Sequence, residues 1–271
     1  RVPTDLDSGE PDSYWARKRS TLGAGVVFTA CGIPMLFMGQ EFLMDGYWAD
    51  TDGSGGTYDG RIDWAYKTAY RGIFDEYADL VALRKGLAGL RDSNINVFHE
   101  NNSGKVVAWH RWDNGSGTDD VVVLANFSNT EYTAYDLGLP YAGRWVCLFH
   151  GDTLYYHADV QHAEGRSVMA GAPGMHGCSY HGTFRLSPYS LQIYVPEAAW
   201  FPVLPYGDLD GDGAVSATAL SLLAAVLAGS TGLPVAERWL DLDENQTLEA
   251  ADLDLLLLFL GDQVPALPWR G

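Results

Sequence analysis

The sequence predicts a multidomain chain: an α/β segment over residues 1–90, an antiparallel β-sandwich over 91–196, a linker over 197–205 and a small all-α module over 206–262. Three observations predict this. A capped helix is followed by a short apolar run between glycines. Strand-like alternation then continues without a helix as far as Pro196. Finally, an acidic loop and the leucine-rich stretch after it occur twice, at an offset of 33 residues.

In the first segment Asp12 or Ser13 caps a helix that runs to about Ala30, with Trp15, Leu22, Val26 and Val27 as its apolar side. The run Ile33 to Met38 is short, apolar and bounded by Gly32 and Gly39, the signature of a strand buried on both faces in a parallel sheet. Helix followed by buried strand is an α/β arrangement. The loop Gly39 to Gly60 is rich in Gly, Asp and aromatics and too long for a simple connector, which marks it as a loop that carries function. A second helix is predicted over Thr68 to Lys85, where Ile73, Tyr77, Leu80, Val81 and Arg84 share one face.

From Asn94 the period becomes two. Strands are predicted at Val97–His99, Val106–Trp112, Val121–Phe127, Tyr132–Leu137, Arg144–Phe149, Thr183–Leu186 and Ser190–Val195, with turn residues between them. The Gly/His-rich stretch Gly151 to Gly182 reads as a long loop. Trp109, Trp112 and Trp145 are expected to pack inside the sandwich, and His150, His157 and His162 lack the spacing of a metal cluster.

The terminal module carries the clearest chemistry. An EF-hand loop wraps a hard divalent cation with oxygens from positions 1, 3 and 5, the carbonyl of position 7 and a carboxylate at position 12. In the second loop these are Asp241, Asp243, Asn245, the Thr247 carbonyl and Asp252, so every place is filled. The first loop offers Asp208, Asp210, Asp212 and the Ala214 carbonyl, with Gly213 at the tight turn. Its twelfth position is Ala219, which has no oxygen, so its affinity is expected to be lower. Gln246 stands where the second loop favours glycine. Calcium is the implied cofactor, and the repeated leucines imply two loop-helix units sharing an apolar face.

Composition excludes several classes. With 17 basic and 35 acidic residues the formal charge is −18, and residues 204–262 hold eleven of the acids against Arg238 alone, so neither nucleic acid nor an anionic membrane is expected as a partner. No apolar run is long enough to span a bilayer. Cys31, Cys147 and Cys178 have no CxxC spacing and read as thiols. The chain begins at Arg1 without a leader, which suggests a truncated sequence whose export signal lies outside it. The carboxylates Glu41, Asp45, Asp50, Asp52, Asp59 and Asp63 form no pair spaced for acid/base work.

The strings Ser13-Tyr-Trp-Ala-Arg-Lys-Arg-Ser20, Gly32-Ile-Pro-Met-Leu-Phe-Met-Gly-Gln-Glu-Phe42 and Ile62-Asp-Trp64 resemble the barrel end of the α-amylase superfamily, glycoside hydrolase family 13, and most of all its 1,4-α-glucan branching enzymes. The resemblance covers residues 1 to about 195. It implies that residues 1–90 are the incomplete C-terminal end of a (β/α)8 barrel, followed by the family's all-β C domain. It also implies a retaining mechanism on α-1,4-glucans, with Gln40, Glu41 and Phe42 at the rim of the active site. The family's nucleophilic Asp, acid/base Glu and stabilising Asp all precede the matched segment, so no catalytic residue is expected here and this chain alone is not expected to turn over substrate. An α-amylase-type hydrolase, or a non-catalytic carbohydrate-associated calcium-binding scaffold, is the alternative.

Residues 206–262 resemble a type I dockerin, which implies secretion and a cohesin-type scaffold protein as partner. Ala217-Thr218 and Ala250-Ala251 stand at the recognition positions of that pattern.

Overall fold

The computed structural model describes residues 1–46, 62–153, 156–160, 167–197, 221, 224 and 250–260. It divides into two compact units, Arg1–Pro196 and Glu197–Gly271.

In the first unit the short helix α1 (Val2–Leu6) precedes α2 (Tyr14–Thr29). Ser13 caps α2, its hydroxyl accepting from the Ala16 amide at 3.3 Å, which satisfies one of the donors every helix start leaves open. The buried face of α2 differs from the expected stripe. Ala16, Ser20, Thr21, Ala24, Gly25, Phe28 and Thr29 join Leu22 in the interior, while Trp15 and Val26 are half-buried and Val27 is exposed. Small residues line that face because the helix lies close to a sheet. A Cβ on Gly25 would stand 3.0 Å from a Leu191 methyl.

After α2, Ile33 to Met38 is not a strand. It is irregular and open to solvent, with Ile33 96% and Met35 80% exposed, which corrects the expectation of a buried parallel strand. Among the described residues no sheet flanks it, and no closed barrel is present. Apolar side chains cannot make a strand where no neighbouring backbone accepts its ladder.

The second predicted helix is two. α3 (Ala65–Ala69) ends at Tyr70 (φ −115°, ψ 45°), and α4 (Arg71–Gly86) starts there, followed by α5 (Ala88–Arg91). Ile73, Tyr77 and Leu80 face inward as predicted, joined by Glu76 and Leu83, while Val81 is exposed. Arg84 donates to the carbonyls of Phe28, Ala30 and Gly32, collecting acceptors left open at the end of α2.

The all-β part has eight strands. They are β1 (Asn94–Asn101), β2 (Val106–Trp112), β3 (Val121–Asn126), β4 (Tyr132–Leu139), β5 (Gly143–His150), β6 (Ser167–Ala170), β7 (Tyr180–Leu186) and β8 (Ser190–Pro196). The seven predicted strands are present. β6 lies inside the stretch read as a loop, and its four residues pair with β5 from Gly143↔Ala170 to Val146↔Ser167. Six strands form one antiparallel sheet in the order β1-β2-β3-β8-β5-β6, and β4 and β7 form the other. Between them lie Val106, Ala108, Val122, Leu124, Trp145 and Tyr194 from the large sheet, and Leu137, Leu139, Phe184 and Leu186 from the small one.

The residues of opposite parity, among them Trp109, Arg111, Val123, Ala125, Leu191 and Ile193, are also buried. Against that second face pack α2 and α5, so every side chain of β3 and β8 is in the interior. A strand covered on both faces loses its polar alternation, which is why β3 reads Val-Val-Val-Leu-Ala-Asn. Of the three tryptophans, Trp109 and Trp145 are buried, and Trp112 is half-buried with His110 stacked on it, ring centroids 4.6 Å apart.

In the second unit, α6 (Ala250–Leu260) and the helical residues Ser221 and Ala224 are described. No described helix is long and apolar enough to cross a membrane.

Candidate functional site

Gln40, Glu41 and Phe42 form a single 3₁₀ turn between two left-handed residues, Gly39 (φ 84°) and Leu43 (φ 61°). Gly39 is required twice over, by its φ and because a Cβ there would lie 2.2 Å from the Met44 sulfur. The Gln40 amide braces the turn, donating to the Tyr77 hydroxyl at 3.0 Å while its Oε1 accepts from the Phe37 amide at 3.2 Å. Tyr77 is buried, and that burial raises its pKa. Phe42 is buried with its ring 5.8 Å from Trp64, which is 64% exposed. The Oε2 of Glu41 is buried without a hydrogen-bond partner. The turn thus gathers an exposed indole, a carboxylate and a fixed amide, groups suited to stacking on and hydrogen-bonding a polyhydroxylated ligand.

Neighbouring contacts hold the segment. Arg1 donates to the carbonyls of Met38 and Gly46 and lies over the Phe37 ring, 4.8 Å from its centroid. Tyr66 donates to Asp45 at 2.8 Å, and its hydroxyl is pushed up to about 12 by burial and by that carboxylate. Of the other loop carboxylates, Asp63 accepts from the Ala65 amide at 2.9 Å, just before α3, while Asp50, Asp52 and Asp59 fall outside the described residues.

A second cluster has no counterpart in the sequence reading. Where α2 and α4 meet the segment after β5, Lys18 and Asp152 form an ion pair of 2.7 Å with side chains 1% and 0% exposed. Beside it, His157 Nε2 lies 3.2 Å from Glu76 Oε2, both side chains again closed to solvent. Burial pushes the Glu76 carboxyl above its ordinary range against the opposing pull of His157, and lowers the pKa of Lys18 against that of Asp152. A signal was available in the sequence. Glu76 stands at i+3 from Ile73 and beside Tyr77, on the face already marked as buried.

His150 is buried and also engaged, its Nδ1 accepting from the Asp152 amide at 3.0 Å, and His162 is outside the described residues. Among the described residues no group of three His, Cys, Asp or Glu side chains is placed to hold a metal. No disulfide joins Cys31, Cys147 and Cys178.

Of the cation-loop residues, Asp208, Asp210, Asp212, Ala214, Asp241, Asp243, Asn245 and Thr247 lie outside the described residues. Asp252 is described. It sits fully buried in the first turn of α6, where a carboxylate complements the helix N-terminus. An all-oxygen donor set ending in such a carboxylate fits a hard cation.

Comparison with known proteins adds three findings. Residues 97–197 match the family described as alpha amylase, C-terminal all-beta domain. The 1,4-alpha-glucan branching enzyme GlgB of Pseudomonas fluorescens (strain Pf0-1) is 28% identical over 197 residues, covering 69% of this chain and 25% of that enzyme. The enzyme of the same name from Leifsonia xyli subsp. xyli is 33% identical over 129 residues, covering 45% of this chain and 16% of its own length. The chain therefore spans about a quarter or less of these curated relatives. Among solved structures, the pullulanase of Anoxybacillus sp. LM18-11 complexed with maltotetraose superposes with a TM-score of 0.51 at 18% identity, over 72% of this chain and 26% of that one. That likeness is one of fold.

Proposed function

Residues 97–197 are a C-terminal all-β domain of the α-amylase superfamily, and from that premise we propose that the chain is the C-terminal part of an enzyme acting on α-1,4-glucans, of branching rather than hydrolytic type. The observation that carries the reading is the continuity of the match. Likeness to branching enzymes extends over 69% of the chain, beyond the strands of the matched domain. In this reading the turn Gln40–Phe42 borders the substrate. The chain supplies no catalytic acids of its own and serves to support and bind. Its charge of −18 suits a neutral polysaccharide rather than a polyanion.

The gene upstream of Arg1 tests the parent activity. It is expected to encode a barrel with an Asp, a Glu and a His-Asp pair in catalytic positions, and an open reading frame without them would overturn the proposal.

For residues 206–262 we propose a dockerin-like calcium module of an exported protein that docks on a cohesin-type scaffold. Asp241, Asp243, Asn245, the Thr247 carbonyl and Asp252 would hold one ion, and Asp208, Asp210, Asp212 and the Ala214 carbonyl a second, weaker one. Bound calcium would neutralise the acidic loops and fix the helices against each other. Calorimetric titration is expected to show at least one site, lost in Asp241→Ala. Equal binding heat in wild type and variant would reject the assignment.

A further inference from the structure

We propose that the junction between the helical segment and the β-sandwich is a proton-dependent latch, closed while the Glu76–His157 pair holds one proton and loosened when that proton is lost. Among its described residues the segment after β5 touches the helices through charged or hydroxyl contacts: Asp152 to Lys18 and Tyr14, His157 to Glu76, Tyr156 to Asp79, and Asp159 to Arg17. Gly72 lets it come so close. A Cβ on that residue of α4 would fall 1.8 Å from the Tyr156 carbonyl oxygen, a position no side chain could take.

The groups facing Glu76 can be named from each element. From α2 come Lys18 and the hydroxyl of Thr21. From the segment after β5 come His157 and, behind Lys18, Asp152, with the backbone of Gly151 close to Glu76 Oε1. Tyr14 approaches Asp152 at 3.4 Å, and His150 and Gln192 close the sheet side of that aspartate.

Lys18 and Asp152 cancel. What remains is Glu76 with His157, which is neutral overall only with one proton between them. Remove it, and a carboxylate is left uncompensated in a site closed to water, its Oε1 already without a hydrogen-bond partner. Buried charge in that state is strongly unfavourable. The raised pKa of Glu76 agrees with a proton kept beyond the ordinary carboxylate range. The sign follows from linkage. An opened pair keeps one proton up to the ordinary histidine pKa, about 6.5, so the closed junction, which keeps its proton beyond that, loses its advantage as pH rises from there to the raised value. A single proton gives about a tenfold change in the opening constant per pH unit.

Amide hydrogen exchange of Tyr156 to Val160 in the whole chain, corrected for intrinsic rates between about pH 5 and about pH 9, reads this directly. Wild type is expected to open about tenfold more per pH unit above the ordinary histidine pKa, and Glu76→Gln, which stays neutral and can still bond His157, to show no such rise. A flat wild-type profile, or the same slope in Glu76→Gln, overturns the latch. Carbon-13 titration of the Glu76 carboxyl in the wild-type protein decides independently of how the variant folds. A midpoint above the ordinary histidine pKa, about 6.5, supports the latch, and one at or below it refutes it.

Discussion

Strand β3 and the segment Ile33–Met38 are both six residues long and both apolar, yet one is wholly buried and the other is open to solvent. Val121 to Asn126 has β2 on one side and β8 on the other, with a sheet layer against one face and helices against the opposite one. Ile33 to Met38 has no flanking strand among the described residues. Hydrophobicity sets where a segment would rather be, while the backbone must find partners before it can go there.

Three substitutions probe that contrast, from the largest expected effect to the smallest. Arg111 is fully buried on β2 and donates to the carbonyls of Thr29, Leu90, Asp92 and Asn94, so one guanidinium satisfies the ends of α2 and α5 and the start of β1. Arg111→Ala would leave those acceptors buried and unpaired. Chemical denaturation is expected to show a loss of about 4 kcal/mol. Leu124→Ala, in the core between the sheets, should cost about 3 kcal/mol in the same measurement through the cavity it leaves. Met35→Ser, in the exposed segment, should shift stability by less than about 0.5 kcal/mol while reducing aggregation in light scattering. A loss near that of Leu124→Ala would mean that the segment is packed after all, and the contrast between the two regions would fall.

The same contrast explains what could be read in advance. The seven predicted strands formed because period-2 alternation and turn residues are local signals, and each strand found its partner nearby in the fold. β6 was hidden by its length, since Ser-Val-Met-Ala is too short to show a period and is held by β5 alone within its sheet. The buried face of α2 differs from the stripe the apolar spacing marks because close contact with the second face of the sheet selects Gly25 and Ala24 over the larger Val26 and Val27. Gln40, Glu41 and Phe42, proposed here for the rim, are marked in the sequence only by a resemblance, because a three-residue turn has no period of its own. The cluster of Lys18, Glu76, Asp152 and His157 draws on three separate stretches, and no spacing rule along the chain joins them.

The central reading, that this chain belongs to an α-glucan enzyme and helps to hold its polymer, is tested most directly by electrophoresis of the whole chain in native gels with and without amylopectin. Retardation that maltoheptaose relieves is the predicted result. Equal mobility in both gels, set against a control protein of similar charge, would contradict it.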